Sequence, residues 1–495
     1  MRAPAERGVS WNSTLGPGRA WLDPKARCPF LLRADRAPAA RDSFAAARVC
    51  TGTLQEFMHT IIRGGVIATC DQSHRVVTGD VAIYDGRITH VGKVPQSLRP
   101  ARIVDAQGCA VLPGFVQAHV HLCQVLFRGM ADDLPLLAWL KERIWPFEAA
   151  HNETSLGASA ELGLLEMMRA GTTTILDMGT VRNHDAVMQA CSDAGIRAIS
   201  GKTMMDAGAS VPRGLRETTQ ESLRESDRLL GTWHGKGLLQ YAYAPRFILS
   251  CTEALVRGVA ERSKAHDVIM HSHAAEHPGE RDAVRALFGD DDVLVLRRWG
   301  LRGKRAVLAH GVQLSDAQAK VVAKDGTRFV HCPSANLKLG SGIARVADLR
   351  ALGVLFALGA DGAPCNNNLD PWMELRHAAL LAKHRDTPQA LPAREALALG
   401  TIDGARALGL DAITGSIEPG KRADVQVVRI DGPHVEPGGD VFSRLVYACT
   451  SRDVEHVFVD GVHVVRNGEH TRLDHDNVLR RARTEAPKLR SRAKV

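Results

Sequence analysis

The sequence predicts a (β/α)8 barrel of the TIM type, with a small β-sandwich domain built from both ends of the chain. Three observations predict it. Eight short apolar runs alternate with helical patterns over residues 113–410. β-rich runs flank that region on both sides. Ionisable residues recur at the C-terminal ends of the apolar runs, where barrels collect their chemistry. A chain of 495 residues exceeds one ordinary core, which suits a large domain with accessory structure.

Taken in order, residues 1–57 are rich in Arg, Ala and Pro with little periodicity, and carry 9 Lys/Arg against 5 Asp/Glu. They read as an extension upstream of a start at Met58, with an organelle presequence as the alternative. Residues 58–112 and 411–470 form the composite β-domain. Each half holds alternating runs around a favoured two-residue hairpin turn, Asp85-Gly86 in DVAIYDGRITHVG and Asp460-Gly461 in HVFVDGVHVV. The barrel strands are expected at 114–120, 172–178, 196–204, 238–245, 267–273, 305–312, 328–333 and 354–361. Helical patterns such as LPLLAWLKERI, ALVRGVAERSKAH and PWMELRHAALLAKH separate them. Residues 471–495, with 8 Lys/Arg against 3 Asp/Glu, read as a solvated basic tail.

Composition excludes several functions. The net charge of +8 resides at the two ends, which leaves residues 58–470 at −1, so the body offers no general attraction to nucleic acid. No run of about 18 apolar residues exists to span a membrane. The 10 cysteines are scattered without a CxxC pair, which suits reduced thiols in a cytoplasmic protein. Walker, GxGxxG and GxSxG patterns are absent, as is the HxE with PCxxC signature of one class of zinc deaminase.

The strand ends carry the functional signal. The first run, PGFVQAHVHL, closes on His119 and His121, whose i, i+2 spacing aims both side chains the same way. The fifth ends in HSHAAEH, offering His271, His273, Glu276 and His277; the sixth ends at His310 and the eighth at Asp361. A single strand-end histidine is ordinarily a hydrogen-bonded structural residue. Four strands that all end in His or Asp at one mouth are hard to obtain by packing alone. Three neutral imidazoles and a carboxylate suit one divalent cation, Zn2+ first, with Fe2+ or Mn2+ as alternatives. Such an ion lowers the pKa of water from about 15.7 to about 7, so hydrolysis is the expected chemistry. His271 and His273 point the same way on their strand, and spacing does not choose between them.

HVH after PGF, the HAAE block, LAHGV and LGADG together resemble the amidohydrolase superfamily in its mononuclear deaminase and chlorohydrolase branch, over about Met58 to Glu469. LFRGMADDLPLLAWLKERIWPFE, NLKLGSGIA and DGAPCNNNLD are similar to bacterial deaminases of 5′-deoxyadenosine, S-adenosylhomocysteine or methylthioadenosine. The resemblance implies His119, His121, His273 and Asp361 as metal ligands, its HxxE pattern choosing His273 and leaving His271 structural. LLQYAYAP lacks the lysine of binuclear relatives, which implies one metal. By the same resemblance Glu276 protonates a ring nitrogen, His310 and Asp361 handle the proton of the attacking water, and Glu148 of WPFE accepts hydrogen bonds from ribose hydroxyls. The expected reaction is hydrolytic release of ammonia from an adenosine-type nucleoside.

Two features depart from that pattern. APRFILSC with Arg246 stands where a His-Pro-Tyr type of sequence is common, and Gln124 lies three residues after His121. Gln124 and Arg246-Phe247 resemble guanine deaminases, where such residues contact the purine. A guanine or pterin deaminase, or a triazine hydrolase of the same branch, is therefore the alternative activity. An inactive barrel scaffold is the alternative of another kind. A small-molecule nucleoside or nucleobase is the expected partner, and homo-oligomerisation is a further implication of the resemblance.

Overall fold

The structure is a computed structural model, and it describes residues 59–495. The proposed extension therefore lies outside the described residues. Eight parallel strands form the barrel: Phe115–Val120, Thr172–Met178, Arg197–Gly201, Leu239–Tyr241, Met270–Ala274, Ala306–His310, Arg328–His331 and Leu355–Leu358. They neighbour one another in chain order, the eighth pairing back onto the first. Closure between the fourth and fifth comes from Tyr243, whose N–H donates to Ile269 O (3.0 Å) while its carbonyl accepts from His271 N (2.9 Å). Two short strands, Thr203–Met204 and Ala244–Pro245, extend the third and fourth strands toward the mouth.

Alternation within the strands explains the packing. Val116, Ala118, Leu176, Ile199, Val307, Val330 and Ala357 gather in one apolar cluster. Their strand neighbours Phe115, Ile175, Ala198, Leu308, Phe329 and Phe356 pack with the residues of the surrounding helices. Gly359, just past the eighth strand, is required by close approach: a Cβ there would stand 2.6 Å from the carbonyl oxygen of His119.

Strands from both sides of the barrel segment join in one nine-stranded sheet. Cys109–Pro113 pairs antiparallel with Val425–Arg429, which stitches the two sequence segments together. The sheet has its own apolar cluster, which includes Ile62, Ile67, Val81, Val111, Val427 and Phe458. Both hairpin turns form, with Asp85-Gly86 and Asp460-Gly461 at positive φ, as a right-twisted two-residue hairpin demands. The eight cysteines of the described residues are free and buried. No helix among the described residues is long and apolar enough to cross a membrane.

The C-terminal segment differs from its expectation. It is not a solvated tail: His475–Ala493 is a helix of 19 residues, capped by Asp474, that buries Val478, Ala482, Glu485 and Leu489. Those positions fall on one face at helical spacing, a thin stripe that the surrounding charge obscures in sequence. The basic side chains are used as well. Arg481 pairs with Glu161, while Arg492 donates to Ala150 O (2.9 Å) and Ser155 Oγ (3.1 Å).

Candidate active site

The mouth of the barrel gathers the strand-end residues. His119 lies beside a register shift between Gln117 and Val120, a local irregularity of the kind that re-aims side chains near active sites. His310 and Asp361 adopt left-handed backbone conformations, φ 82° and 63°. Such non-glycine residues typically cost about 1–3 kcal/mol and concentrate at functional sites.

His119, His121, His273 and Asp361 each direct one ligand atom to a common centre, all four atoms within 4.8 Å of one another and all four residues buried. His119 Nε2 and His121 Nε2 lie 3.2 and 3.4 Å from Asp361 Oδ1. The hydrogen bonds around the rings dictate their tautomers. His121 Nδ1 donates to Met178 O and His273 Nδ1 to Arg246 O, both at 2.7 Å. Both Nε2 atoms are then bare lone pairs, yet they face each other at 3.3 Å. A cation between them turns that repulsion into attraction, and the buried His119 Nε2 likewise has no hydrogen-bond partner. The donor set therefore fits one divalent metal ion.

His271 supplies the third tautomer. Its Nδ1 donates to Val307 O (2.9 Å), so its Nε2 accepts from His119 Nδ1 (2.7 Å), which leaves His119 Nε2 free to ligate. The geometry thus separates the two histidines of the fifth strand. His273 faces the shared centre and His271 stands behind His119.

Electrostatics keeps the ligands in their metal-binding forms. Burial pushes the His121 imidazole down to about 3 and His273 well below its ordinary value, the neighbouring histidines adding to the effect. Burial alone would raise Asp361. The imidazoles of His119, His310 and His121, where they carry a proton, outweigh it and hold the carboxylate well below its usual range.

Glu276 and His310 lie beside this centre. Glu276 Oε2 stands 3.3 Å from His310 Nε2, which in turn is 3.9 Å from Asp361 Oδ2. Burial raises the Glu276 carboxyl well above its ordinary value, with Glu280 and Asp361 adding to the rise. His310 is driven down to about 4 by burial and pairs through Nδ1 with Asn336 Oδ1 (2.9 Å), leaving Nε2 open. A carboxyl raised in pKa and an imidazole lowered in pKa thus meet at one point, their titrations pushed apart by the surroundings.

Above them is a small cavity, with room for little more than a water molecule as the side chains stand. Gln124, Arg246, Glu276 and His310 form polar parts of its wall; Leu136, Trp139, Leu140, Phe247 and Leu339 form the apolar part.

The family model described as the amidohydrolase family matches residues 110–464. The chain belongs to the amidohydrolase family. This amidohydrolase is 38% identical over 406 residues to a 5-methylthioadenosine/S-adenosylhomocysteine deaminase of Moorella thermoacetica, covering 81% of this chain and 92% of the relative. It is also 38% identical over 414 residues to a 5′-deoxyadenosine deaminase of Methanothermobacter thermautotrophicus, covering 83% and 95%. A zinc-bound crystal structure of an adenosine deaminase from Xanthomonas campestris superposes with TM-score 0.82 at 31% identity, covering 87% of this chain and 98% of the other. Guanine deaminase of E. coli superposes at 0.74 with 27% identity, covering 83% and 99%.

The structure of this amidohydrolase brings eight of the nine sequence-predicted site residues to one mouth, and Glu148 stands apart from the cavity. Its side chain is 0% exposed, and it does not line the pocket. Sequence reasoning passed over Asn336, Trp139, Leu140 and Leu339. Asn336 lies in the NLKLGSG segment, after the seventh strand, where a polar residue at a strand end is the available signal. The apolar wall carries no signal that separates it from ordinary core.

Proposed function

We propose that this amidohydrolase is a metal-dependent hydrolytic deaminase that acts on an adenosine-type nucleoside such as 5′-deoxyadenosine and releases ammonia. The observation that carries the reading is the opposition of Glu276 and His310 at 3.3 Å beside the four-ligand centre. The names of the relatives at 38% identity favour the nucleoside. A divalent ion, zinc by the chemistry of three imidazoles and a carboxylate, supplies Lewis acidity when bound and makes water nucleophilic near neutral pH.

The chain's residues do the rest. Glu276 holds a proton on its carboxyl group and donates it to the ring nitrogen next to the amine-bearing carbon as water adds to that carbon. His310, with Nδ1 engaged by Asn336, accepts the proton of the attacking water at Nε2, with Asp361 Oδ2 at its side. That proton passes to the departing amine, the C–N bond breaks, and the proton of the added hydroxyl returns to Glu276, so that the ring keeps the oxygen as a carbonyl and the acid is restored. The wall of Leu136, Trp139, Leu140 and Phe247 excludes bulk water and receives the flat faces of a heterocycle.

One observation favours a second reading. Gln124 and Arg246 line the cavity beside Phe247, and the buried Gln124 Oε1 has no hydrogen-bond partner. An acceptor next to a guanidinium matches an oxopurine edge, which supports a guanine-type substrate. Ammonia release from 5′-deoxyadenosine, adenosine, S-adenosylhomocysteine, guanine and an aminotriazine, measured in parallel, tests both. Turnover of guanine with none of the nucleosides replaces the first reading by the second. The eight cysteines of the described residues, free and buried, suit the reducing cytoplasm as the place of action.

A further inference from the structure

The resemblance noted from sequence places Glu148 on the sugar of a nucleoside. The packing around it argues for a different task. Glu148 sits in the helix Trp145–Ala149, and both carboxylate oxygens are engaged inside the protein. Oε2 accepts from Arg246 Nη1 at 2.5 Å and Oε1 accepts from Gln124 Nε2 at 2.9 Å. With no exposed side-chain surface, it presents nothing to the cavity, whereas both of its partners are part of the cavity wall.

The two partners are groups that need holding. Arg246 is 3% exposed, and a buried guanidinium without a counter-charge is strongly unfavourable. Gln124 is fully buried, and the Glu148 contact fixes which end of its amide faces which way, directing Nε2 to the carboxylate and Oε1 elsewhere. Oε1 then lies at the mouth-side backbone, where a Cβ on Gly362 would stand 2.1 Å from it. Arg246 also connects the pocket to the metal centre, because its carbonyl accepts from His273 Nδ1.

Taken with the deaminase reading, on which it rests, this arrangement leads to one conclusion. We infer that Glu148 is a positioning residue, whose carboxylate orients Gln124 and Arg246 toward the heterocycle and makes no contact with the sugar. The base, not the ribose, feels its loss.

The test compares wild type with Glu148→Gln on adenosine, 2′,3′-dideoxyadenosine and guanine, with bound metal measured in each preparation. A positioning role predicts a fall in kcat/KM of at least tenfold that is the same, within about threefold, for every substrate the wild type turns over, at unchanged metal content. A sugar contact predicts that adenosine is slowed while the dideoxy analogue and guanine are not, and that outcome overturns the inference. Undiminished activity on all three overturns it too. An enzyme with no activity on either nucleoside refutes the nucleoside reading and leaves the guanine rate to decide the role of Glu148. Should Glu148→Gln fail to fold, the double variant Glu148→Gln/Arg246→Gln removes both buried charges together. It must keep the wild-type ratio of adenosine to dideoxyadenosine rates for the inference to stand.

Discussion

Replacing His271 by Phe tests whether the metal centre depends on a residue that never touches the metal. In wild type, His271 Nε2 accepts the Nδ1 proton of His119 at 2.7 Å, and both side chains are fully buried. Phe has a comparable ring but no acceptor, so the variant leaves a buried N–H without a partner. Such an orphaned donor costs roughly 1–3 kcal/mol. At about 1.4 kcal/mol per factor of ten, that corresponds to about 5- to 150-fold weaker metal binding. Loss of an outer partner of a ligating histidine typically weakens binding or activity by about 10–100-fold. Competition against a chelator of known affinity measures the change directly. His271→Gln, whose Oε1 can accept the same proton, should recover much of the loss. Equal affinity in the Phe variant and wild type would refute the tautomer argument. Equal damage from Phe and Gln would mean that ring volume, not the hydrogen bond, matters.

Glu276→Gln removes the proton donor and should lower kcat by about 10²–10⁴-fold while full metal content is retained; near-normal turnover would remove Glu276 from the mechanism. Leu489→Ala, in the docked C-terminal helix where Leu489 is 1% exposed, should lower the unfolding free energy by about 2 kcal/mol or more, seen as a drop in Tm, while a solvated tail would show no change. Glu374 is fully buried, and burial pushes its carboxyl up from 4.5 to about 7 against the hydrogen bonds from Ser334 and Asn366. Its folded pKa lies above its unfolded one, so its stabilising contribution is whole below about pH 4.5 and is lost as pH rises through 7. Wild type should therefore lose up to roughly 3 kcal/mol relative to Glu374→Gln between pH 4.5 and 8 in chemical unfolding, and a pH-independent difference would contradict the shift.

The sequence by itself determined the barrel and most of its mouth, because both depend on local regularities. Strand alternation, turn residues and the i, i+2 pairing of His119 with His121 repeat over a few residues, and barrel topology carries each strand end to the same rim. The tertiary structure decided what depends on partners distant in the chain. His271 and His273 are equivalent by spacing. They separate only because one ring meets His119, 152 residues earlier, and the other faces the common centre. Glu148 is assigned to a ribose by resemblance, and only the fold brings Arg246, 98 residues on, to one of its oxygens. The basic C-terminal segment reads as solvated because Val478, Ala482 and Leu489 are sparse, and only the neighbouring helices of the barrel provide the surface against which so thin a stripe is buried. Hydrogen bonding and burial are properties of pairs of surfaces, and a linear pattern specifies only one of the two.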